Sequence, residues 1–314
     1  MIKQIPSPIP VLPDRERTGH KGTYGTVALL GGSAAMSGAV KLAGGAALGA
    51  GAGLVRLLVP SVIHSTAASF RPEYTVFPLS ADKKGCLSLS SLFRIESLLA
   101  GVSAVGVGPG LGRSLGLDLI VSRLFFSLSL PAVFDADALN ALANQNIFIN
   151  GASHARLVKR TQPVSLPAPR ILTPHPGEFF RMFQQRIGGG QNERVEAAVQ
   201  FVQNFQRICP SDPASLVLVL KGANTVVTDG NRIFVNDTGN PGMGTGGSGD
   251  VLTGVIAALV AQGLPCYEAA VLGVHIHGIA GDLAAETKGE TSLTAADLLD
   301  FLPPAFQEAK GVEP

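Results

Sequence analysis

The 314-residue sequence contains no tryptophan, three tyrosines and three cysteines. The cysteines lie far apart and form no CxxC pair, which excludes a disulfide framework and a cysteine zinc site. Charged residues make up only 15% of the chain, and 24 Lys and Arg are balanced by 23 Asp and Glu. This balance gives no reason to expect nucleic acid or an anionic membrane surface as a partner.

Long apolar segments are also missing. The run "VLTGVIAALVAQGLP" is shorter than the roughly 20 residues that cross a bilayer, and the proline-broken N-terminus lacks the apolar core of a secretory signal. We therefore expect a cytoplasmic protein with no membrane partner. The prolines predict an extended leader over residues 1–18, followed by a single domain over residues 19–310.

Glycine, in contrast, is abundant at 38 residues, and 46% of the chain is hydrophobic. Short apolar runs such as "GTVALLGG" and "SLVLVLKG" read as buried strands. They alternate with predicted helices near residues 37–50, 249–262, 265–286 and 295–301. This alternation predicts an α/β fold in which helices cover both faces of a mostly parallel sheet, giving three α/β/α layers.

Ligands of such sheets bind beyond the carboxyl ends of the strands. Four unusual segments are expected there, namely "GPGLG" (108–112), "DADALN" (135–140), "TPHPGE" (173–178) and "KGANT" (221–225). The first segment is either a tight turn or a surface on which substrate lies against backbone amides. In the second, Asp135, Asp137 and Asn140 suit either helix capping or a magnesium–water shell.

Three histidines lead to different expectations. His175 stands between two prolines, which stiffen the loop and fix the direction of the imidazole, so we expect it to be functional. His275 and His277 are two residues apart on a predicted helix and point in different directions, so they do not share a metal. We expect these two to be packing residues or satisfied polar groups.

The strongest signal is "GMGTGGSGD", in which five glycines precede Asp250. Glycine frees the backbone to turn its N–H groups inward as an anion nest, and the helix that begins near Asp250 adds its positive end. Phosphate is the expected ligand, although no P-loop motif is present. Helix capping by Asp250 alone would leave the glycines unexplained. A carboxylate beside a phosphate nest can instead accept a proton from a hydroxyl during phosphoryl transfer.

In their order along the chain, from about residue 18 to 305, these motifs resemble the blocks of the ADP-dependent NAD(P)H-hydrate dehydratases in their stand-alone form. The resemblance implies a ribokinase-like fold and a repair reaction. NAD(P)H that has been hydrated on its nicotinamide ring is dehydrated back to NAD(P)H. Phosphate from ADP, or from ATP in eukaryotic members, makes the ring hydroxyl a good leaving group, and ADP is released as AMP.

The resemblance also implies roles for particular residues. The hydrated dinucleotide is expected to contact Ala39, Gly110, His175 and Asp250, with Asp250 as the catalytic base. The adenine nucleotide is expected to contact Lys221, Gly222, Ala223, Asn224, Thr225 and Gly249. Mg²⁺ is expected as a further cofactor without assigned metal ligands, together with a homo-oligomer, commonly a tetramer, and a separate epimerase.

Some features depart from the resemblance or leave it open. Ser248 stands where threonine is expected, Met36 where an aromatic residue is frequent, and the polar insert at 186–194 has no implied role. The nest and Asp250 alone also suit a ribokinase-like kinase that phosphorylates a small vitamin-precursor alcohol. A non-catalytic nucleotide-binding protein is the third reading.

Overall fold

The computed structural model describes residues 5–6, 8–148, 165–184, 186–209 and 215–310, so part of the predicted leader lies outside the described residues. The strands are β1 (Ile5–Pro6), β2 (Thr26–Leu30), β3 (Leu54–Pro60), β4 (Tyr74–Leu79), β5 (Ala104–Val107), β6 (Ala132–Phe134), β7 (Arg170–Leu172), β8 (Leu216–Leu220), β9 (Val226–Thr228) and β10 (Arg232–Val235). The helices are α1 (Ser37–Gly49), α2 (His64–Ala68), α3 (Leu92–Leu98), α4 (Leu115–Ser127), α5 (Asp137–Asn144), α6 (Pro176–Phe183), α7 (Gln191–Ile208), α8 (Ser248–Ala261), α9 (Cys266–Lys288) and α10 (Ala295–Ala309).

The strands form one sheet in the order β1-β10-β9-β8-β7-β6-β5-β2-β3-β4. Only β9 runs against the other strands, because it pairs antiparallel with both β8 and β10 and every other pairing is parallel. All residues of β2, β5 and β8 are buried, as continuous apolar strands covered on both faces must be. The predicted mostly parallel α/β/α fold is confirmed.

Two apolar cores lie on the opposite faces of the sheet. Side chains alternate between them along each strand, so that Val27 and Leu29 of β2 face one core and Ala28 and Leu30 the other. Helices α1, α2, α8, α9 and α10 cover the first face, and α3 to α7 cover the second. None of the described helices is both long and apolar enough to cross a membrane.

Helix α10 is longer than its sequence predicts. The prolines at 303 and 304 indicated an end near residue 301, yet the helix continues to Ala309. Leu302 and Ala305 on either side of the prolines are fully buried against the first core. Burial of this apolar face holds the segment helical despite the missing N–H groups.

The chain reverses its direction across the sheet between β2 and β5. It passes from β2 outward through β3 and β4, and then returns to β5 on the other side of β2 before continuing through β6, β7 and β8. In an open α/β sheet, the carboxyl ends at such a reversal leave a crevice in which ligands bind. The segments after β5, β6, β7 and β8 all reach this edge.

Gly254 allows α1 and α8 to cross at close range beside the crevice. A Cβ atom added to Gly254 would overlap the carbonyl of Ala43 and would lie 2.9 Å from the Ala46 Cβ. The first turn of α8 is therefore positioned by a contact between helix backbones.

We expect Gly254→Ala to lower the free energy of unfolding by about 1–3 kcal/mol, because backbone atoms of α1 must move to admit the methyl group. Urea denaturation measures this loss. Gly38→Ala is the matched control, since Gly38 lies in α1 with open space around its missing Cβ and alanine favours helix. Equal stabilities for the two variants would contradict the close crossing.

Candidate active site

A buried ion pair joins the ends of two strands at the crevice. Asp135 follows β6 and Lys221 follows β8, and the Lys221 Nζ lies 2.6 Å from the Asp135 Oδ1. Thr253 of α8 donates to the other carboxylate oxygen, Oδ2, at 2.9 Å. Burial disfavours the charge on Lys221, but the carboxylates of Asp135 and Glu178 outweigh it and raise the pKa of the ammonium group. The ammonium therefore stays charged.

The contacts of Asp135 and Asp137 differ from both sequence interpretations of these residues, namely helix capping and a magnesium–water shell. The two carboxylate oxygens of Asp135 accept hydrogen bonds from Lys221 and Thr253. Asp137 is the first residue of α5, and its side chain forms no capping hydrogen bond. The Asp137 Oδ2 instead accepts a hydrogen bond from the Gly112 N–H at 2.9 Å and fixes the "GPGLG" loop. Asn140 accepts from the Arg181 Nε at 2.8 Å. The three side chains thus hold neighbouring loops in place.

Gly249 lies directly on the ion pair. A Cβ added there would be 3.0 Å from the Lys221 Nζ and 3.5 Å from the Asp135 Oδ2. Close packing therefore favours glycine at this position, whether or not a ligand is present. Two residues predicted to contact the adenine nucleotide, Lys221 and Gly249, are brought together.

The glycine-rich loop ends in the first turn of α8. Gly247 has a left-handed φ of 98° and precedes the helix, whose first backbone bond runs from the Val251 N–H to the Gly247 carbonyl at 3.1 Å. The N–H groups of this first turn lack intrahelical partners and carry the positive end of the helix dipole. Gly246 has open space where its Cβ would be. A phosphate can therefore approach the backbone at this point.

Side chains of helix α9 form hydrogen bonds with the glycine-rich loop and with the first residue of α8. The buried His277 Nε2 lies 3.0 Å from the Ser248 carbonyl, and Asp282 accepts bonds from the Gly239 N–H and the Asn240 side chain. Burial lowers the pKa of His277 to about 4, so this imidazole is neutral and donates through Nε2. His277 is a satisfied polar group, as expected, but its contact with the nest was not foreseen.

Asp250 is the third residue of α8 and does not cap the helix. Its carboxyl group is partly buried, and burial together with the nearby charge of Asp135 raises its pKa to about 7, against the opposing effect of Lys221. A carboxylate with a pKa close to neutrality is well matched to proton transfer at physiological pH. This is the chemistry that the sequence predicted for Asp250.

Glu178 is a site residue that the sequence analysis did not single out. Only 5% of it is exposed, and burial raises the pKa of its carboxyl group to about 7. Its Oε2 accepts a hydrogen bond from the His175 N–H at 2.9 Å. Together with Asp135 and Asp250 it places a third carboxyl group near the single ammonium of Lys221. The spacing of three residues from His175, typical of a capping box, was the available signal.

His175 caps α6. Its Nδ1 accepts hydrogen bonds from the Gly177 N–H at 3.0 Å and the Glu178 N–H at 3.4 Å. Burial and the charge of Lys221 lower the pKa of His175, so the ring is neutral at pH 7 and carries its proton on Nε2. The side chain is 52% exposed. The cap and the flanking prolines thus fix the ring, whose Nε2 lies 3.5 Å from the Glu178 Oε1.

Ala39 and Gly110, both predicted to contact the substrate, lie against each other. A Cβ added to Gly110 would be 2.9 Å from the Ala39 Cβ and 2.6 Å from the Met36 carbonyl oxygen, and Gly110 has a left-handed φ of 64°. The tight-turn interpretation of "GPGLG" therefore accounts for this glycine. The same packing places both residues at the reversal between β2 and β5.

A preformed magnesium site is not apparent. The part of the chain that the structure describes contains no group of three or more His, Cys, Asp or Glu side chains suited to a metal ion. Both carboxylate oxygens of Asp135 are already engaged. Mg²⁺ usually keeps several waters and binds through one or two carboxylates plus substrate phosphates. These residues do not fit a metal site built by the protein alone.

The fold is ribokinase-like. A ribokinase-like superfamily protein from Enterococcus faecalis superimposes with a TM-score of 0.73 over 95% of this chain and 92% of its own, at 22% identity. More specifically, the model of the NAD(P)H-hydrate dehydratase family matches residues 27–304. The chain belongs to that family, which confirms the resemblance seen in the sequence.

Two relatives show how far the likeness extends. The bifunctional NAD(P)H-hydrate repair enzyme of Moorella thermoacetica is 43% identical over 93% of this chain and 51% of its own. The chain thus spans about half the length of the curated relatives that it matches. The ADP/ATP-dependent NAD(P)H-hydrate dehydratase of Bacillus subtilis, co-crystallised with ATP and Mg²⁺, is 31% identical with a TM-score of 0.73, over 95% of this chain and 94% of its own.

The raised pKa of Asp250 predicts that stability decreases as pH rises. Between its ordinary value of 3.8 and about 7, the folded protein holds a proton on Asp250 that the unfolded chain has lost. The folded state then binds more protons, so the free energy of unfolding falls through this window and levels off above it. Asp250→Asn removes the effect.

We therefore expect the stability gained by Asp250→Asn over the wild type to be larger at pH 8 than at pH 5 by about 1–3 kcal/mol. Denaturant unfolding at the two pH values measures the gain. Asp300→Asn, an exposed carboxylate on α10, is the control and is expected to have the same effect at both. A gain in stability from Asp250→Asn that does not depend on pH would contradict the raised pKa of the partly buried Asp250 carboxyl group.

Proposed function

We propose that this protein uses ADP or ATP to dehydrate hydrated NAD(P)H to NAD(P)H, a lyase reaction of nicotinamide nucleotide repair. The observation that carries the proposal is Asp250, a base with a pKa of about 7 in the first turn of a glycine-preceded helix above Lys221. Membership of the NAD(P)H-hydrate dehydratase family and the likeness to the Bacillus subtilis enzyme support it.

In the first step, the ring hydroxyl of the hydrated nicotinamide attacks the terminal phosphorus of the nucleotide. The new O–P bond forms as the bond to the bridging oxygen breaks, which releases AMP from ADP. Asp250 accepts the hydroxyl proton. The amides of the α8 first turn and the Lys221 ammonium stabilise the negative charge on the phosphoryl oxygens.

In the second step, the carbon–oxygen bond breaks and phosphate leaves. Hydroxide is a poor leaving group at neutral pH, whereas phosphate is a good one. Loss of a proton from the adjacent ring carbon to solvent water restores the dihydropyridine. Phosphorylation therefore serves to expel the hydroxyl, and no phosphorylated product remains.

Ala39, Gly110 and His175 would hold the dinucleotide. The neutral His175 ring offers an Nε2 donor of fixed direction, and the contact between Ala39 and Gly110 leaves a surface of backbone and small side chains. Such a surface suits the flat ring of a nicotinamide. The adenine nucleotide would bind along Lys221–Thr225 and Gly249.

Mg²⁺ would arrive bound to the nucleotide phosphates, and no step is assigned to it. The homotetramer, the separate epimerase and the cytoplasmic location stay predictions.

We expect the purified protein to restore the absorbance of dihydronicotinamide when it is given hydrated NADH with ADP or ATP, and to give none without nucleotide. Asp250→Asn should lower turnover at least a hundredfold, because the hydroxyl proton has no acceptor, while calorimetry shows nucleotide binding largely retained through backbone amides.

Two results would overturn this proposal. One is the absence of NADH formation together with phosphorylation of a vitamin-precursor alcohol, which would indicate a kinase. The other is full turnover by Asp250→Asn, which would remove Asp250 from the mechanism.

We expect His175→Asn to weaken binding of the hydrated dinucleotide about tenfold while leaving the adenine nucleotide nearly unaffected. Asparagine is a good helix N-cap, so this variant removes the Nε2 donor and keeps α6 capped. Calorimetry with each ligand gives the comparison, and unchanged thermal stability shows that the cap is intact. Equal losses for both ligands would contradict the placement of His175.

A further inference from the structure

The polar insert at 186–194 ends in the first turn of α7, beside the turn that joins β8 to β9. Arg194 donates from Nη1 to the Ala223 carbonyl at 2.9 Å, and from Nη2 to the carbonyls of Lys221 at 3.2 Å and Leu220 at 3.3 Å. Gln191 donates to the Asn224 carbonyl at 3.2 Å. One turn of helix thus binds three carbonyls of the predicted nucleotide-binding segment and the carbonyl of Leu220, the last residue of β8.

These bonds fix the direction of the peptide groups in 221–225. No cis peptide bond occurs among the described residues, and in a trans peptide the N–H points opposite to the carbonyl. Because the carbonyls of Ala223 and Asn224 point toward α7, the N–H groups of Asn224 and Thr225 point away from it. A loop that binds phosphate must present N–H groups, since outward carbonyls would repel the anion.

Gly222 and Arg194 fit each other closely. Gly222 has a φ of 141°, and a Cβ there would lie 2.9 Å from the Arg194 Nη2 and 3.0 Å from Nη1. Asn224 adopts a left-handed φ of 54°, a conformation that asparagine tolerates better than most residues with a side chain. The hydrogen bonds from Arg194 add to this local preference, and a planar guanidinium with several donors is suited to holding such a turn.

The guanidinium also brings a positive charge to this segment. Within the described ranges Arg194 forms no salt bridge, and its Nε is buried without a hydrogen-bond partner. Carbonyl dipoles alone offset its charge. The excess positive charge favours an anion bound to the neighbouring N–H groups.

We infer that Arg194 is a positioning residue which shapes the segment 221–225 and thereby sets the affinity for the phosphates of the adenine nucleotide. The inference rests on the proposed function of that segment. It also gives the end of the polar insert a role, because residues 191–194 form the turn from which Arg194 and Gln191 reach the loop.

The experiment compares Arg194→Met, Arg194→Lys and Arg207→Met in the full chain. Arg194→Met is expected to weaken ADP and ATP binding roughly tenfold to hundredfold in calorimetry, because several hydrogen bonds from a charged donor are lost. Arg194→Lys keeps the charge without the fork and should fall in between. Arg207, on the exposed last turn of α7, bonds only Asn204 in the described structure, so its variant should bind as the wild type does.

Steady-state kinetics separate positioning from a general loss of structure. Arg194→Met should raise the KM for the nucleotide while kcat and the KM for hydrated NADH change less than about twofold. Equal nucleotide binding by Arg194→Met and Arg207→Met would overturn the inference. The inference would also be overturned if Arg194→Met raised both KM values equally and Arg194→Lys did not partly restore them. Wild-type protein that binds nucleotide without dehydrating the substrate would overturn the proposed function alone, since the binding comparison would still stand.

Discussion

The ion pair between Lys221 and Asp135 is the contact on which the rest of the site depends. It joins β6 to β8 and, through Thr253, to α8, and it is mostly buried, with 18% of the Lys221 side chain and 1% of the Asp135 side chain exposed. A charge left unpaired in such surroundings is strongly unfavourable, so each partner requires the other. The pair also leaves little room for a side chain at position 249, where a Cβ would lie 3.0 Å from the Lys221 Nζ.

The same ion pair explains how a base of near-neutral pKa arises beside a phosphate site. Asp135, Glu178 and Asp250 are three carboxyl groups near one ammonium, and the charge of Lys221 is already committed to Asp135 at 2.6 Å. At Glu178 and Asp250, burial and the charge of Asp135 together outweigh the attraction of Lys221, and both carboxyl groups have a pKa of about 7. The near-neutral pKa of Glu178 and Asp250 therefore follows from the placement of three carboxyl groups beside a single ammonium group.

Much of the fold could be predicted from local patterns. Apolar runs marked β2 and β8, small residues marked α1, and glycines marked the start of α8. Strand β4 was missed because Pro78 interrupts its apolar run, and helix α3 was missed because its seven residues are too few to show a clear period. The helix continuing beyond Pro303 was missed because its burial comes from distant parts of the chain.

The sequence predicted which segments form the site, but it did not predict which of their side chains contact each other. Asp135 and Lys221 are 86 residues apart, and Asp135 and Thr253 are 118 apart, so no local pattern relates them. The sequence therefore offered capping or magnesium for Asp135, whereas in the structure its two carboxylate oxygens accept hydrogen bonds from Lys221 and Thr253. It also suggested that the glycines serve a ligand, whereas packing requires glycine at position 110 and favours it at position 249 as well. Family resemblance supplied the chemistry that these local patterns left open.

The central claim is that the nucleotide phosphorylates the hydroxyl so that it can leave. A single turnover of hydrated NADH carrying ¹⁸O in its ring hydroxyl, followed by mass spectrometry of the released phosphate, tests this claim most directly. The account predicts one ¹⁸O atom in each inorganic phosphate formed. Label found in water, with unlabelled phosphate, would show that the hydroxyl leaves without attacking phosphorus and would contradict the account.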